Sequence, residues 1–222
     1  MCNISLIKWC RHFIFGVTLF LLGCSSDSSS NYQRGVYLLL DTSGTYTQEL
    51  VKAQQIINYM LATLEPGDSF AVARIDSGSF NEKDIIAKVV LDARPSAANR
   101  QKREFAATIE KFVQQVKSSA YTDISGGLLQ AIEFLNETDV GQKHILIFSD
   151  LKEELPQGFV RDFDLTLDGF TVKALNVTKL RSDNQDPGEY LQRVEEWQDR
   201  VVAGGGTWGV VNDLDRSNAL AL

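Results

Sequence analysis

The sequence predicts an α/β fold with a doubly wound, mostly parallel central sheet and helices on both faces of that sheet. Residues 36–40 and 145–148 are apolar without a break, as in strands that are buried on both faces. Segments with apolar side chains at three- and four-residue spacing alternate with the strands, and this spacing is typical of amphipathic helices. Because strands that alternate with helices form parallel sheets covered on both faces, the two observations together favour this fold class.

The same patterns place the elements in order along the chain. Six strands are predicted, at residues 35–40, 70–75, 85–91, 145–148, 170–177 and 208–211. Four helices are predicted from apolar stripes within residues 50–64, 105–116, 128–135 and 188–202. Asn99 can cap the second helix, since asparagine is favoured at helix N-termini.

Two of the predicted helices have stripes that can be stated residue by residue. The inward side of the first is expected to hold Leu50, Val51, Ile57, Met60, Leu61 and Leu64. The inward side of the fourth is expected to hold Tyr190, Leu191, Val194, Trp197 and Val201.

Residues 1–23 have the order of a bacterial signal peptide. Lys8 and Arg11 precede an apolar run at 13–22, which is followed by Gly23 and Cys24. Leu21-Leu22-Gly23-Cys24 resembles the lipobox of bacterial lipoproteins, which implies that Cys24 is lipidated and that the chain is cut just before it. An uncleaved membrane anchor is the alternative, but a run of about ten apolar residues is well short of the roughly 20 that a spanning helix needs.

The lipobox resemblance also implies a location. Ser25 after the cysteine favours the periplasmic side of the outer membrane in a Gram-negative cell, and otherwise the lipid would hold the protein on the extracytoplasmic face of the cell membrane. Residues 24–34 are rich in serine, as in flexible tethers. The folded domain is therefore expected to span residues 35–222.

The charge of the chain opposes binding to nucleic acid. The full sequence has a formal net charge of −7, and without residues 1–23, which contain two basic and no acidic side chains, the charge is −9. Nucleic acid and anionic lipid both require a basic surface. Membrane attachment is thus expected to depend on the N-terminal lipid alone.

Cysteine and histidine usage limits the metal chemistry. Cys2, Cys10 and Cys24 all lie in the signal peptide or at its end, so structural disulfides and thiolate metal sites are excluded from the domain. After removal of His12, His144 is the last histidine, which excludes zinc sites built on paired histidines. His144 lies at the base of the predicted strand that leads to Asp150, at the end away from the candidate site, so it is expected to be a satisfied surface histidine. Any bound metal must therefore have oxygen ligands.

Two aspartates follow the two apolar strands. Asp41 comes directly after the first and Asp150 two residues after the other. In open α/β sheets, ligands bind at the carboxyl ends of the strands. Asp41-Thr42-Ser43-Gly44-Thr45 on its own also fits a turn followed by a helix N-cap.

Three segments together resemble the von Willebrand factor type A domain and its integrin relatives, over residues 35–212. They are Asp41 to Thr45, residues 121–128, and Phe148-Ser149-Asp150. In that family, a D-x-S-x-S loop, a threonine in a later loop and an aspartate after the fourth strand form the metal-ion-dependent adhesion site. The resemblance implies five metal-site residues here: Asp41, Ser43, Thr45, Thr122 and Asp150.

The sequence departs from the family pattern at two positions. Thr45 stands where serine is commonest, and Ser149-Asp150-Leu151 replaces the frequent Thr-Asp-Gly. Both departures keep the oxygen atoms that coordination needs.

The donor set suits magnesium, with manganese or calcium as alternatives. Mg²⁺ takes near-octahedral oxygen ligands and keeps several waters. Ser43, Thr45 and Thr122 are expected to bind the ion directly, while Asp41 and Asp150 hold coordinated waters and supply negative charge. In the family, one position stays open and is filled by a carboxylate of the partner.

The expected function is that of a membrane-tethered, divalent-metal-dependent module that binds another cell-envelope protein through an acidic residue of that protein, without enzymatic activity. Two alternatives remain, namely a metal-dependent hydrolase and a scaffold whose metal site is vestigial. Glu153 and Glu154, just past Asp150, either belong to a solvated loop or tune metal affinity and reject some acidic partners.

Overall fold

The computed structural model describes residues 32–76, 81–180, 182–214 and 220, apart from the side chains of Thr45 and Pro187. The predicted signal peptide, Cys24 and most of the predicted tether lie outside these residues. Within the described part, no helix has the length and apolar composition needed to cross a membrane.

Six strands form one sheet in the order β3-β2-β1-β4-β5-β6. Their bounds are β1 Arg34–Leu40, β2 Ser69–Arg74, β3 Ile85–Val90, β4 Gln142–Phe148, β5 Phe170–Leu175 and β6 Thr207–Val211. The edge strand β3 is antiparallel to β2, and all other neighbours are parallel. The strands β2 and β3 therefore lie in succession on one side of β1, and β4, β5 and β6 lie in succession on its other side.

Four α-helices cover the two faces of the sheet. Their bounds are α1 Leu50–Thr63, α2 Pro95–Gln115, α3 Ile124–Glu137 and α4 Pro187–Ala203. Buried residues of α1 and α2 share one apolar cluster with Val36, Leu38 and Leu40 of β1. Buried residues of α3 and α4 share a second cluster with Tyr37 and Leu39, whose side chains leave the opposite face. The predicted fold class is confirmed.

The two central strands are buried as their composition predicts. Residues 36–40 of β1 and 145–148 of β4 are all almost fully inaccessible to solvent. Removing a large aliphatic side chain from water contributes about 1.5–3 kcal/mol. This pair of strands therefore offers a well-buried support for a binding site.

Some details of the helices differ from the predictions. Asn99 does not cap α2, which begins four residues earlier at Pro95, because proline is well suited to the first helical turn. The early buried residues, Ala97 and Ala98, are too small to mark the start of an apolar stripe. Val51 and Leu191 are exposed, since each lies one position away from the row of side chains that contacts the sheet.

The prediction for His144 is wrong. This histidine is nearly buried, and neither of its ring nitrogens has a hydrogen-bond partner among the described residues. The reason is the position of β4 between β1 and β5, which buries every side chain of the strand after Lys143. Burial, together with the positive charges of Lys173 and Arg34, lowers the pKa of His144 to about 4.

Candidate metal centre

Asp41 and Asp150 lie at the point where the strand order reverses. Leu40 pairs with Phe148 at the carboxyl ends of β1 and β4, and the Asp41 amide continues the pairing by donating to the Phe148 carbonyl at 3.0 Å. Ligand sites of open α/β sheets form at this reversal, because the loops leaving the two strands diverge there. The structure thus brings together the two predicted carboxylates.

The carboxylate of Asp41 is fully buried among neutral donors. Oδ1 accepts a hydrogen bond from the Ser43 amide at 2.8 Å and lies 3.4 Å from the Thr122 hydroxyl. Oδ2 accepts from the Ser149 hydroxyl at 2.6 Å. Asp41, Ser43 and Thr122 therefore meet in one place, as predicted.

The loop after Asp41 is held by a neighbouring loop. The Ser119 amide donates to the Thr42 carbonyl at 2.9 Å, and the Gly44 amide donates to the Ser119 carbonyl at 3.2 Å. Gly44 has a φ of +39°, a value that favours glycine. The backbone of Thr45 lies in the 3-10 helix Gly44–Glu49, while its side chain is outside the described part, so its role as a ligand stays a prediction.

Thr122 is placed by a strand-like contact and by the helix that follows it. Its backbone pairs with Glu154 through two hydrogen bonds, of 2.8 and 2.9 Å. Asp123, the next residue, caps α3 by accepting from the Gly126 amide at 2.8 Å. The threonine is almost fully buried, as a ligand at the base of a site would be.

Asp150 is also nearly buried, and its carboxylate has a backbone hydrogen-bond partner but no ion-pair partner among the described residues. Its Oδ1 accepts from the Lys152 amide at 2.9 Å. Burial and, to a smaller extent, the negative charge of Asp41 raise the pKa of Asp150 to about 6, although the Lys152 hydrogen bond and the charges of Arg193 and Lys152 lower it. Burial likewise raises the pKa of Asp41, although hydrogen bonds from Ser149, Ser43 and Thr122 lower it.

These carboxylates and hydroxyls fit a hard divalent cation. In the described part of the chain, no lysine or arginine forms an ion pair with Asp41 or Asp150. Two buried carboxylates without such a partner repel each other, which a cation would relieve. No three His, Cys, Asp or Glu side chains gather into a metal site within the described residues, so a cation here would depend on hydroxyl ligands as well.

Helix α4 holds the backbone of the loop that carries Asp150. Arg193 donates through Nε to the Asp150 carbonyl at 3.3 Å, and the Trp197 Nε1 donates to the Leu151 carbonyl at 3.0 Å. The two terminal nitrogens of Arg193 each contact the buried carboxylate of Asp183 at 2.8 Å. We call Arg193 and Trp197 the α4 clamp.

No protein-family model and no curated protein matches the sequence. Among solved structures, the chain is similar to a von Willebrand factor type A protein from Catenulispora acidiphila, at 15% identity and a TM-score of 0.51 over 82% of this chain. The chain has the von Willebrand factor type A fold. The match spans 39% of the length of the Catenulispora protein.

Two further solved structures match with lower TM-scores. Manganese-loaded TRAP protein from Plasmodium vivax is 15% identical, with a TM-score of 0.42, over 65% of this chain and 58% of its own. An aerotolerance-related membrane protein from Bacteroides fragilis is also 15% identical, with a TM-score of 0.45, over 85% of this chain and 96% of its own.

One departure from the von Willebrand factor type A pattern has a visible consequence. Leu151, at the position where glycine is frequent, has a φ of +67°, and its side chain is buried. A left-handed backbone at a residue with a Cβ costs about 1–3 kcal/mol. The Leu151 amide donates to the Ser149 hydroxyl at 3.1 Å, so the strained residue also holds the serine that contacts Asp41.

The α4 clamp was not found from the sequence. Trp197 was predicted to face inward, but nothing in the spacing indicated that its indole nitrogen would reach the Asp150 loop. Glu153 also has a role that neither alternative covered, because it accepts from the Ser125 amide at 2.7 Å and the Ser125 hydroxyl at 3.1 Å, at the start of α3.

Proposed function

We propose that this chain is a divalent-metal-dependent protein-binding module of the bacterial cell envelope. The observation that carries the proposal is the pair of buried carboxylates, Asp41 and Asp150, at the strand-order reversal of a von Willebrand factor type A fold, with hydroxyl groups beside them and no basic partner in the described part of the chain. A site of this composition attracts a cation.

Some of the five predicted residues would set the coordination geometry of the ion, and the others would balance its charge. Ser43, Thr45 and Thr122 would hold the ion through neutral oxygens, and Asp41 and Asp150 would orient its waters and offset its charge. A bound Mg²⁺, or Mn²⁺ or Ca²⁺, would supply the positive charge that binds a carboxylate. Because three of the protein ligands are neutral, the ion would keep enough charge to bind an acidic side chain of a partner.

We further propose that the site binds without turnover. A hydrolase needs a general base within reach of its substrate. His144 pairs with Val36, four residues before the carboxyl end of β1, and its side chain lies in the core, so it is badly placed for that role. The fold alone leaves catalysis open, and an assay with phosphoester and peptide substrates tests this part of the proposal.

Attachment to the membrane is proposed from the N-terminal motif. Leu21 to Cys24 supports lipidation of Cys24, with residues 24–34 as a tether between the membrane and the domain of residues 35–222. The partner would then be another envelope protein, and the acidic net charge of the chain argues against nucleic acid. In a Gram-negative cell, Ser25 favours the outer membrane.

Calorimetric titration with MgCl₂ tests the proposed function. The titration is done on the full-length protein and then on Asp150→Asn. Asparagine keeps an acceptor for the Lys152 amide and removes only the charge, so magnesium affinity should fall while the fold persists. Absence of heat of binding for the wild type, with either magnesium or manganese, would leave the vestigial scaffold as the better description.

A further inference from the structure

An exposed apolar turn lies beside the candidate metal centre. The Phe159 amide closes the turn by donating to the Pro156 carbonyl at 3.0 Å, and Gly158 has a φ of +89°, as a tight turn requires. Phe159 and Val160 are 52% and 75% exposed. These two adjacent side chains leave most of their apolar area in contact with water, which is unfavourable unless something covers it.

The segment that carries this turn is attached at both ends to the loop of a predicted metal ligand. At one end, the backbone of Glu154 pairs with Thr122. At the other end, Arg161 contacts the fully buried carboxylate of Asp123 at 2.7 Å. Because Thr122 and Asp123 are consecutive residues, the turn between the two attachments is held close to the candidate metal centre.

The aromatic ring of Phe159 lies beside the Arg161 guanidinium. The Arg161 guanidinium lies over the ring at 5.9 Å from its centroid, so one guanidinium group separates the ring from the Asp123 carboxylate. Tyr121, which precedes Thr122, is partly exposed as well. We call Tyr121, Phe159 and Val160 the apolar rim.

We propose that the apolar rim is the second half of the partner-binding surface, and that the occupant is a protein segment with an acidic side chain and a large apolar side chain a few residues apart. This inference rests on the proposed function, in which the metal binds the acidic side chain. Charge supports this division of the surface, since the carboxylates of Asp41 and Asp150 recruit a cation that needs an anionic ligand.

The surroundings of the rim favour an apolar contact there. The Arg161 charge is paired with Asp123, and Lys152 is paired with Glu154. Binding an apolar side chain against the rim therefore needs no desolvation of an unpaired charge at these positions. Apolar and aromatic anchors of this kind provide much of the energy of protein interfaces.

Phage display tests the inference. A library of random dodecapeptides is selected for binding to the full-length protein in the presence of MgCl₂. Peptides released by EDTA should contain an aspartate or glutamate with a large apolar residue nearby. A peptide synthesised from that set should bind the double variant Phe159→Ser, Val160→Ser about tenfold more weakly, since the variant offers no large apolar side chain at these two positions for the peptide to bury.

Val90→Ser is the matched control. Val90 is also an exposed valine, at 55%, but it pairs with Ser69 at the amino end of β2 and so lies at the opposite edge of the sheet. This variant should bind the peptide as the wild type does. Both variants should unfold at nearly the wild-type temperature, because the replaced side chains are largely outside the core.

The outcomes separate this inference from the proposed function. Acidic peptides that need magnesium but bind the double variant at full affinity would overturn the role of the rim and leave the proposed function standing. Absence of any magnesium-dependent enrichment would overturn both. A concentration-dependent dimer of the wild type that the double variant does not form would mean that a second copy covers the rim, which also overturns the inference.

Discussion

At the scale of single residues, Asp150 combines two opposing properties. Its carboxylate is buried, which destabilises the charged form, and its proposed role requires that charge. Binding of a cation offsets the free-energy cost of keeping the charged carboxylate buried. The same residue should therefore weaken the metal-free fold and strengthen the metal-bound one.

Asp150→Ala should accordingly weaken magnesium binding without lowering the metal-free stability at neutral pH. The pKa of Asp150 in the fold is about 6, above that of the unfolded chain, so its contribution to stability is lost as pH rises from about 4 to 6. The stability of the variant does not fall in this way with rising pH, because the titrating carboxyl is absent. The variant does lose the hydrogen bond from the Lys152 amide. Thermal unfolding in EDTA at pH 4 and pH 7 measures the difference between the two proteins.

Magnesium should then affect the two proteins unequally. The wild type should gain about 2.7 kcal/mol at a hundredfold excess of magnesium over Kd, and Asp150→Ala should gain much less. The thermal midpoint with and without MgCl₂ measures both gains. Equal midpoint shifts in wild type and variant would contradict the role of Asp150.

His144 should produce a pH dependence of the opposite sign. Its pKa in the fold is about 4, below the value of about 6.5 in the unfolded chain, so the unfolded state binds more protons between these values and stability falls as pH is lowered through this range. The loss should be on the order of 3 kcal/mol. In His144→Val, which suits a buried strand, the loss should be absent. Urea unfolding at pH 7 and pH 4.5 compares the two proteins, and an equal loss in both would show that other groups cause it.

At the scale of secondary-structure elements, α4 is the support of the candidate metal centre. The α4 clamp reaches the carbonyls of Asp150 and Leu151, and Asp183 orients the arginine of the clamp. Leu151 in turn keeps a left-handed backbone conformation that its own side chain disfavours. The geometry of the loop is thus maintained by a helix more than 30 residues later in the chain.

Trp197→Phe should remove one contact of this clamp while keeping an aromatic ring in the core. The loss of the hydrogen bond to the Leu151 carbonyl should cost about 1 kcal/mol and weaken magnesium binding. Trp208→Phe is the matched control, because the buried indole nitrogen of Trp208 has no partner among the described residues. Unfolding and magnesium titration of both variants are the measurements. A larger loss of magnesium affinity in Trp208→Phe would show that α4 does not hold the site.

The elements differ in how far sequence alone could predict them. The strands β1 and β4 were recognisable because burial on both faces leaves unbroken apolar runs at residues 36–40 and 145–148, and the aspartates that follow these runs were predicted together with their location. The clamp could not be predicted, since the atoms of the Asp150 loop that Arg193 and Trp197 contact are backbone carbonyls, which carry no side-chain signal. The start of α2 was missed for a similar reason, because Ala97 and Ala98 are small and contribute little to an apolar pattern.

At the scale of the whole molecule, the doubly wound order explains why one site can draw on distant parts of the chain. Asp41, Thr122 and Asp150 come from three loops that are far apart in sequence, and the parallel arrangement of β1 and β4 brings the loops to the same edge. The opposite edge holds the start of β1 at Arg34. The described chain therefore enters the sheet at the edge away from the candidate metal centre.

Cys24→Ser should separate membrane attachment from folding. The thiol is the proposed site of lipidation, whereas the buried clusters of the sheet begin at Val36, so the substitution should release or mislocalise the protein and leave its domain intact. Palmitate labelling and membrane fractionation measure the first effect, and thermal unfolding with and without MgCl₂ measures the second. A variant that keeps its palmitate label and stays in the membrane fraction would show that the anchor is not on Cys24. A variant that is released but whose thermal midpoint no longer shifts with magnesium would show that the metal centre depends on the lipid. The start of β1 at Arg34, at the edge of the sheet opposite the metal centre, argues against such a dependence.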